Sequence, residues 1–274
     1  MTETKNIEQF LRETEYCNFH HPTIKRLAIH LAGNASTNKE KAMILFRWVR
    51  DNSLYRLGNL QKKASQTLQE KEGTCTNKAN LLVALLRANN IPAGFGVMRV
   101  DGRKYFGNIA SRELTKFVSD ITVHIYAGVY LDGKWIKCDP SVDKELCENT
   151  SYFNPTTQLV NWSGTEHAIM NLNKNHILKE TFPIDSIDSY LRKKAKNGRG
   201  IPLKTANILI QFARKNKKRV SSPEEFERLF KAYFKKNYPL NAFFLQIASS
   251  YKNLTSKFKK KKSFKPKDVA AIRR

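Results

Sequence analysis

Cysteine is scarce in this chain, with four residues at positions 17, 75, 138 and 147, no CxxC pair and no recurring spacing. A disulfide scaffold and a structural zinc site are therefore poor readings. Long apolar runs are missing too, so no segment is read as a membrane span. The opening residues, MTETKNIEQF, lack a basic stretch followed by an apolar one, and no cleaved leader is evident. These absences fit an intracellular, thiol-reduced, cytoplasmic setting, with export by a route lacking a cleaved signal left open. No internal repeat is found.

Acidic residues are the other shortage. The 274 residues hold 24 Asp/Glu against 49 Lys/Arg, a formal net charge of +25. The imbalance is local. From Tyr190 onward there are 25 Lys/Arg and 4 Asp/Glu, whereas residues 1–189 hold 24 and 20. A nearly neutral body thus precedes a strongly basic third. With 41% apolar residues the chain has enough material for a packed core, which argues against general disorder.

Within the body, Thr37 and Glu40 stand in capping-box spacing, followed by an apolar face of Ala42, Leu45, Phe46 and Val49. The polar stretch from Gln61 ends in Glu70-Lys71-Glu72, which reads as loop. Gly73-Thr74-Cys75 then leads into a helix over 78–89, in which Ala79, Leu82 and Leu86 continue a stripe that starts at Cys75. Cys75 is thereby expected at a helix N-terminus. Asn89-Asn90 and Pro92 stop that helix. Ile91–Val100, Thr122–Leu131 and Lys134–Cys138 read as strands, and Asp132-Gly133 reads as a hairpin turn. The order is helices, a Cys-bearing helix, then an antiparallel sheet: an α+β fold.

A thiol at a helix N-terminus is electrostatically disposed to ionise, and its own N–H can help to hold an oxyanion. Trp48, Asn52 and Tyr55 are all placed to give a second donor, and the sequence does not choose among them. His124 lies within VHIYAGVY, and Asp139 closes the next strand. Counting back from the turn puts residue 124 opposite 140–141, within reach of Asp139. The expected set is Cys75 as nucleophile, His124 as base and Asp139 as orienter. Cys17, Cys138 and Cys147 read as small buried hydrophobes.

Three segments carry a family likeness. GTCTNKANLLVALLRANNIPAGF resembles the cysteine motif of the transglutaminase-like superfamily, and VHIYAGVYLDGKWIKCDPSVD resembles its histidine and aspartate motifs. EKAMILFRWVRDNSLY is similar to the helix that precedes the cysteine in that family. The resemblance implies a papain-like core over about residues 37–180. It departs from the family at His124-Ile125-Tyr126, where His-Ala-Trp is common, and at Asp139-Pro140-Ser141, where Asp-Pro-Thr is commoner. The segment Asp101–Asp120, rich in Arg and Lys, is placed to line the cleft. The family includes crosslinkers, peptidases, glycan amidases and DNA-binding proteins without catalysis. The resemblance therefore implies amide chemistry through a thioester, by a peptidase or amidase. The alternatives are a protein-glutamine acyltransferase and a non-catalytic nucleic-acid-binding module. That chemistry needs no metal and no organic cofactor.

The expected organisation is a catalytic domain over 1–189, a basic helical region over 190–256 and a Lys-rich tail over 257–274. Pro202 opens a helix with Leu203, Ala206, Ile210 and Ala213 on one side. Ser222-Pro223-Glu224-Glu225 caps a second, and Leu240–Tyr251 reads as a third. The charge of this third points to an anionic partner, nucleic acid first and an anionic membrane surface second. Phe258 and Phe264 between lysines suit base stacking. The KKKK run at 259–262 also matches a nuclear address.

Overall fold

The computed structural model describes residues 7–107, 119–150, 158–171, 173–193 and 203–239. A four-stranded antiparallel sheet of order β5-β4-β3-β6 forms one layer, with β3 at Ala93–Asp101, β4 at Ile121–Leu131, β5 at Lys134–Cys138 and β6 at Ile177–Ile184. Helix α4 (Cys75–Ala88) lies on this sheet, surrounded on its other sides by α1 (Pro22–Ala32), α2 (Asn38–Asn52) and α3 (Ala64–Glu70). The mixed helix–sheet architecture agrees with the α+β expectation.

Helix α4 is buried from Cys75 to Arg87, so it is the axis of the core rather than an amphipathic surface helix. Leu81, Leu82, Leu85 and Leu86 are fully shielded, each worth roughly 1.5–3 kcal/mol of apolar burial. Four of its buried polar side chains find a backbone acceptor. Asn77 donates to Leu60 O, Lys78 to Arg50 O, Asn80 to Tyr16 O and Arg87 to Ala93 O.

The capping box of α2 is formed as its spacing predicts, with Glu40 N–H donating to Thr37 Oγ1. Asp132 and Gly133 both take positive φ, 49° and 79°, the primed turn that suits a two-residue hairpin. The β4–β5 register runs from Leu131↔Lys134 to Ala127↔Cys138, and continuing it places His124 opposite Ser141, in the expected range.

Several elements go beyond the sequence reading. Helix α3 occupies 64–70 inside the polar stretch, its Ala64 and Thr67 buried against the core. Strand β6 adds an edge to β3. A two-residue parallel pair, β1 (Leu54–Tyr55) with β2 (Glu72–Gly73), ties the chain after α2 to the residues just before Cys75.

Further on, α5 (Gly102–Gly107), α6 (Lys144–Thr150) and α7 (Asp188–Lys193) are short. Helices α8 (Leu203–Lys215) and α9 (Pro223–Asn237) stand where the sequence places them. The expected third helix, over 240–251, and the Lys-rich tail lie outside the described residues. The chain divides into two compact units, Met1–Phe226 and Glu227–Arg274, so α8 belongs to the first. In the second, Phe230, Phe234 and Tyr238 are in ring contact along the chain. No helix among the described residues is long and apolar enough to cross a membrane.

Candidate active site

The thiol is placed by local sequence. Thr74 and Asn77 close a reciprocal cap: Asn77 N–H donates to Thr74 Oγ1 at 3.3 Å, and Thr74 N–H donates to Asn77 Oδ1 at 3.0 Å. A Cβ on Gly73 would meet Asn77 Cβ at 2.7 Å, so only glycine lets the chain enter this cap without displacement. Because the cap consumes the N–H groups of Thr74 and Asn77, that of Cys75 faces the mouth of α4 with no partner among the described residues.

Strand β4 brings His124 to this mouth, and the end of β5 brings Asp139. His124 Nε2 and Asp139 Oδ2 are 2.8 Å apart, and both residues are buried. The Cys75 thiol lies near enough to the ring and to the Ile125 N–H for both to lower its pKa. With Nε2 engaged by the carboxylate, Nδ1 is the nitrogen that serves the sulfur. Asp139 is in turn saturated. Its Oδ2 accepts Met170 N–H at 3.2 Å, and its Oδ1 accepts Ser141 N–H at 3.0 Å and the Ser141 hydroxyl.

Electrostatics follows from this arrangement. Burial alone raises the pKa of Cys75, but the hydrogen bond and charge of His124, with the Ile125 N–H, outweigh it and bring the thiol below its ordinary range. Burial disfavours protonated His124, yet Asp139 and Cys75 push its pKa up to about 10. Burial opposes ionisation of Asp139, and His124, Ser141 and Met170 still hold its pKa below the carboxylate range. The set thus favours a thiolate–imidazolium pair backed by a carboxylate. Cys17 and Cys147 go the other way, pushed up by burial to about 11 and about 12, and Cys138 is raised as well.

Of the three residues considered for the second oxyanion donor, Asn52 is exposed and donates to Trp48 O, within its own helix. Trp48 packs against the core. Tyr55 is the one beside the site: β1–β2 register sets it opposite Gly73, and burial and the charges of Cys75 and Asp139 raise its phenol pKa. From the Asp101–Asp120 segment, Tyr105 also stands near Cys75 and Asp139, its hydroxyl on Met170 Sδ at 2.9 Å. Sequence reasoning missed Met170, Ser141 and Tyr105 as members of the site. The Met170 contribution is a backbone N–H brought in by a strand-like pairing of Ala168 with Cys138, which no side-chain pattern announces. Among the described residues no three His, Cys, Asp or Glu side chains group as metal ligands would.

Residues 25–140 match the model of a family described as the transglutaminase-like superfamily. No curated protein matches the chain. Two solved structures are similar over about half of it. One is a candidate cysteine protease from Cytophaga hutchinsonii, with 26% identity and TM-score 0.39 over 49% of this chain and 42% of the other. The other is a candidate protease from Parabacteroides distasonis, with 18% identity and TM-score 0.34 over 50% of this chain and 25% of the other. The chain therefore spans less than half the length of either. The segment similar to the transglutaminase-like superfamily runs from α1 through Cys75 and His124 to the residue after Asp139, and it takes in less than half of the chain.

Proposed function

We propose that the protein is a thiol hydrolase that cleaves amide bonds of a protein or peptide through a thioester on Cys75. The family match supports cysteine-dependent catalysis in broad terms. The observation that carries the finer reading is the buried Cys75–His124–Asp139 set, in which the thiol is shifted down and the imidazole up. The thiolate attacks the carbonyl carbon, and the resulting oxyanion is held by Cys75 N–H and the Tyr55 hydroxyl. His124 then passes its proton to the leaving nitrogen, the C–N bond breaks, and an amine departs. Water attacks the thioester, giving its proton to His124, and the acid leaves as the thiol is restored. Asp139 keeps the imidazole oriented and its charge compensated throughout. No metal or organic cofactor takes part in these steps.

An electrophilic thiol probe should label Cys75 at neutral pH, and His124→Ala should suppress the labelling. Equal labelling of the two proteins would end the case for an activated thiol. An amine in place of water would give acyl transfer instead, so hydrolysis and amine incorporation are to be compared on one glutamine peptide. Hydrolysis in excess is the expected result.

A second reading concerns the basic third, on the observation that 25 of the 49 Lys/Arg lie in residues 190–274. We propose that it grips nucleic acid through phosphates. Affinity for duplex DNA or RNA should then fall steeply with salt, survive Cys75→Ala and drop on removal of residues 240–274. Truncation at 190 is unsuitable, because α8 lies within the first unit.

A further inference from the structure

Residues 54–57 form a strap whose backbone is held from both sides in the alternation of a strand. On one side Leu54 N–H donates to Lys71 O and Arg56 N–H to Gly73 O, each at 2.9 Å. On the other side the partners are side chains. Tyr55 N–H donates to Asp143 Oδ2 at 2.9 Å, while Arg214 Nη2 donates to Tyr55 O at 2.8 Å and to Asp143 Oδ2 at 2.9 Å. Arg214 Nε completes the fork on Asp143 Oδ1 at 3.1 Å, and that oxygen also accepts Leu146 N–H at 3.0 Å. Two residues further along, Leu57 N–H donates to Asn207 Oδ1 at 2.9 Å and Asn207 Nδ2 donates to Leu57 O at 2.8 Å. Asn207 and Arg214 are two helical turns apart on α8 and so share a face. This face substitutes for a neighbouring strand.

The strap is built at a cost. Arg214 and Asp143 are 7% and 1% exposed, and a buried ion pair seldom repays its desolvation by attraction alone. What the pair does supply is direction, fixing one residue at its N–H through Asp143 and at its C=O through Arg214. That residue is Tyr55, opposite Gly73 and therefore next to the entrance of α4.

We infer that Arg214, Asp143 and Asn207 are positioning residues for acylation, holding the strap at the depth where Tyr55 meets the reacting carbonyl. This rests on the reading of Cys75 as nucleophile and extends it, since it makes the first described helix of the Lys/Arg-rich third part of the thiol site. None of the three touches the reacting atoms; they act through Tyr55.

Two reactions of Cys75 in the full-length protein separate this role from a general structural one. Iodoacetamide alkylates the sulfur at a saturated carbon with loss of iodide, and no oxyanion forms. p-Nitrophenyl acetate acylates it through a tetrahedral oxyanion with loss of nitrophenolate. Arg214→Lys, which keeps the charge and loses the fork, and Asn207→Ala should each slow acylation by about tenfold or more. Alkylation and its pH profile should stay within about twofold of wild type. Tyr55→Phe should slow acylation similarly, and adding it to Arg214→Lys should give little further loss. Parallel loss of both reactions, or undiminished acylation in both α8 variants, would overturn the inference. Should Arg214→Lys fail to fold, Asn207→Ala alone decides on the same criteria. If wild-type Cys75 alkylates no faster than an ordinary thiol at neutral pH, the nucleophile reading fails first and the positioning role falls with it.

Discussion

His124 Nε2 and Asp139 Oδ2 meet at 2.8 Å in a place closed to water, and this one contact sets the protonation states of the site. Cys75 is shifted down and His124 up to about 10, which favours a thiolate–imidazolium pair over a neutral one. Two limbs follow for amide cleavage. If the proposed cleavage is right, its rate should fall in acid as Cys75 takes up a proton, and in base as His124 loses the proton needed by the leaving nitrogen, near pH 10. Alkylation of the thiol shows only the acid limb. Asp139→Asn removes the charge that raises the imidazole, so the basic limb should move down towards neutrality and cleavage should slow by on the order of a hundredfold or more. Rate–pH profiles of both reactions check this, and an unmoved basic limb in Asp139→Asn would assign the limb to another group.

Much of this site is legible because its parts are local. Thr37 with Glu40, Asp132 with Gly133, and the stripe from Cys75 through Ala79 and Leu82 each announce an element within a few residues. The hairpin then converts its turn position into the His124–Asp139 contact by counting alone. What stays hidden depends on distant partners. Asp143 and Arg214 are 71 residues apart and look, in the sequence, like two more surface charges. Helix α3 carries a polar sequence whose burial of Ala64 and Thr67 is decided by its neighbours. Strand β6, Ile177–Ile184, has Lys179 and Glu180 and an exposed to half-buried pattern without alternation, as an edge strand can.

The Arg214–Asp143 pair also bears on stability. Both side chains are shielded, so Arg214→Met leaves a carboxylate with backbone donors and no guanidinium. The expected cost is about 3–5 kcal/mol, read from urea unfolding at pH 7. The pH dependence has a definite sign. Burial works against ionised Asp143, but Arg214, Lys78 and the Tyr55 N–H depress its folded pKa below the ordinary value. Its contribution is present above about pH 4, the unfolded carboxylate value, and is lost as pH falls through the depressed folded pKa. Arg214→Met should therefore flatten the acid side of the stability curve, and a constant offset at all pH values would contradict that origin.

On the sheet face that carries His124, Tyr126 lies over Gly96, with its hydroxyl bonded to Glu180. A Cβ at Gly96 would fall 2.0 Å from Tyr126 Cζ, and Tyr126 is fully buried, so the ring has no open space to enter. Gly96→Ala should destabilise by about 1–3 kcal/mol, with slower acylation because the His124 and Tyr126 rings are neighbours at 6.3 Å. Gly58→Ala is the control: nothing lies within 4 Å of its Cβ position. That change should be neutral or slightly stabilising, within about 0.5–1 kcal/mol. Equal melting shifts for the two variants would mean that Tyr126 yields freely.

The four cysteines make a final, internally controlled prediction, because all are buried yet their electrostatics diverge. Burial raises Cys17, Cys138 and Cys147 above the thiol range, where little thiolate exists at neutral pH. Cys75 alone of the four is shifted down, and at 8% exposure it is the most open of the four residues. Brief treatment of the native protein with iodoacetamide at pH 7 should therefore add one group, located at Cys75 by peptide mass, whereas the urea-unfolded chain should add four. Lowering the pH should suppress the native reaction only below the depressed pKa of Cys75, under the range in which the unfolded thiols fall silent. If the native and unfolded proteins lost reactivity over the same pH range, burial would have won over His124, and the thiol would be an ordinary one.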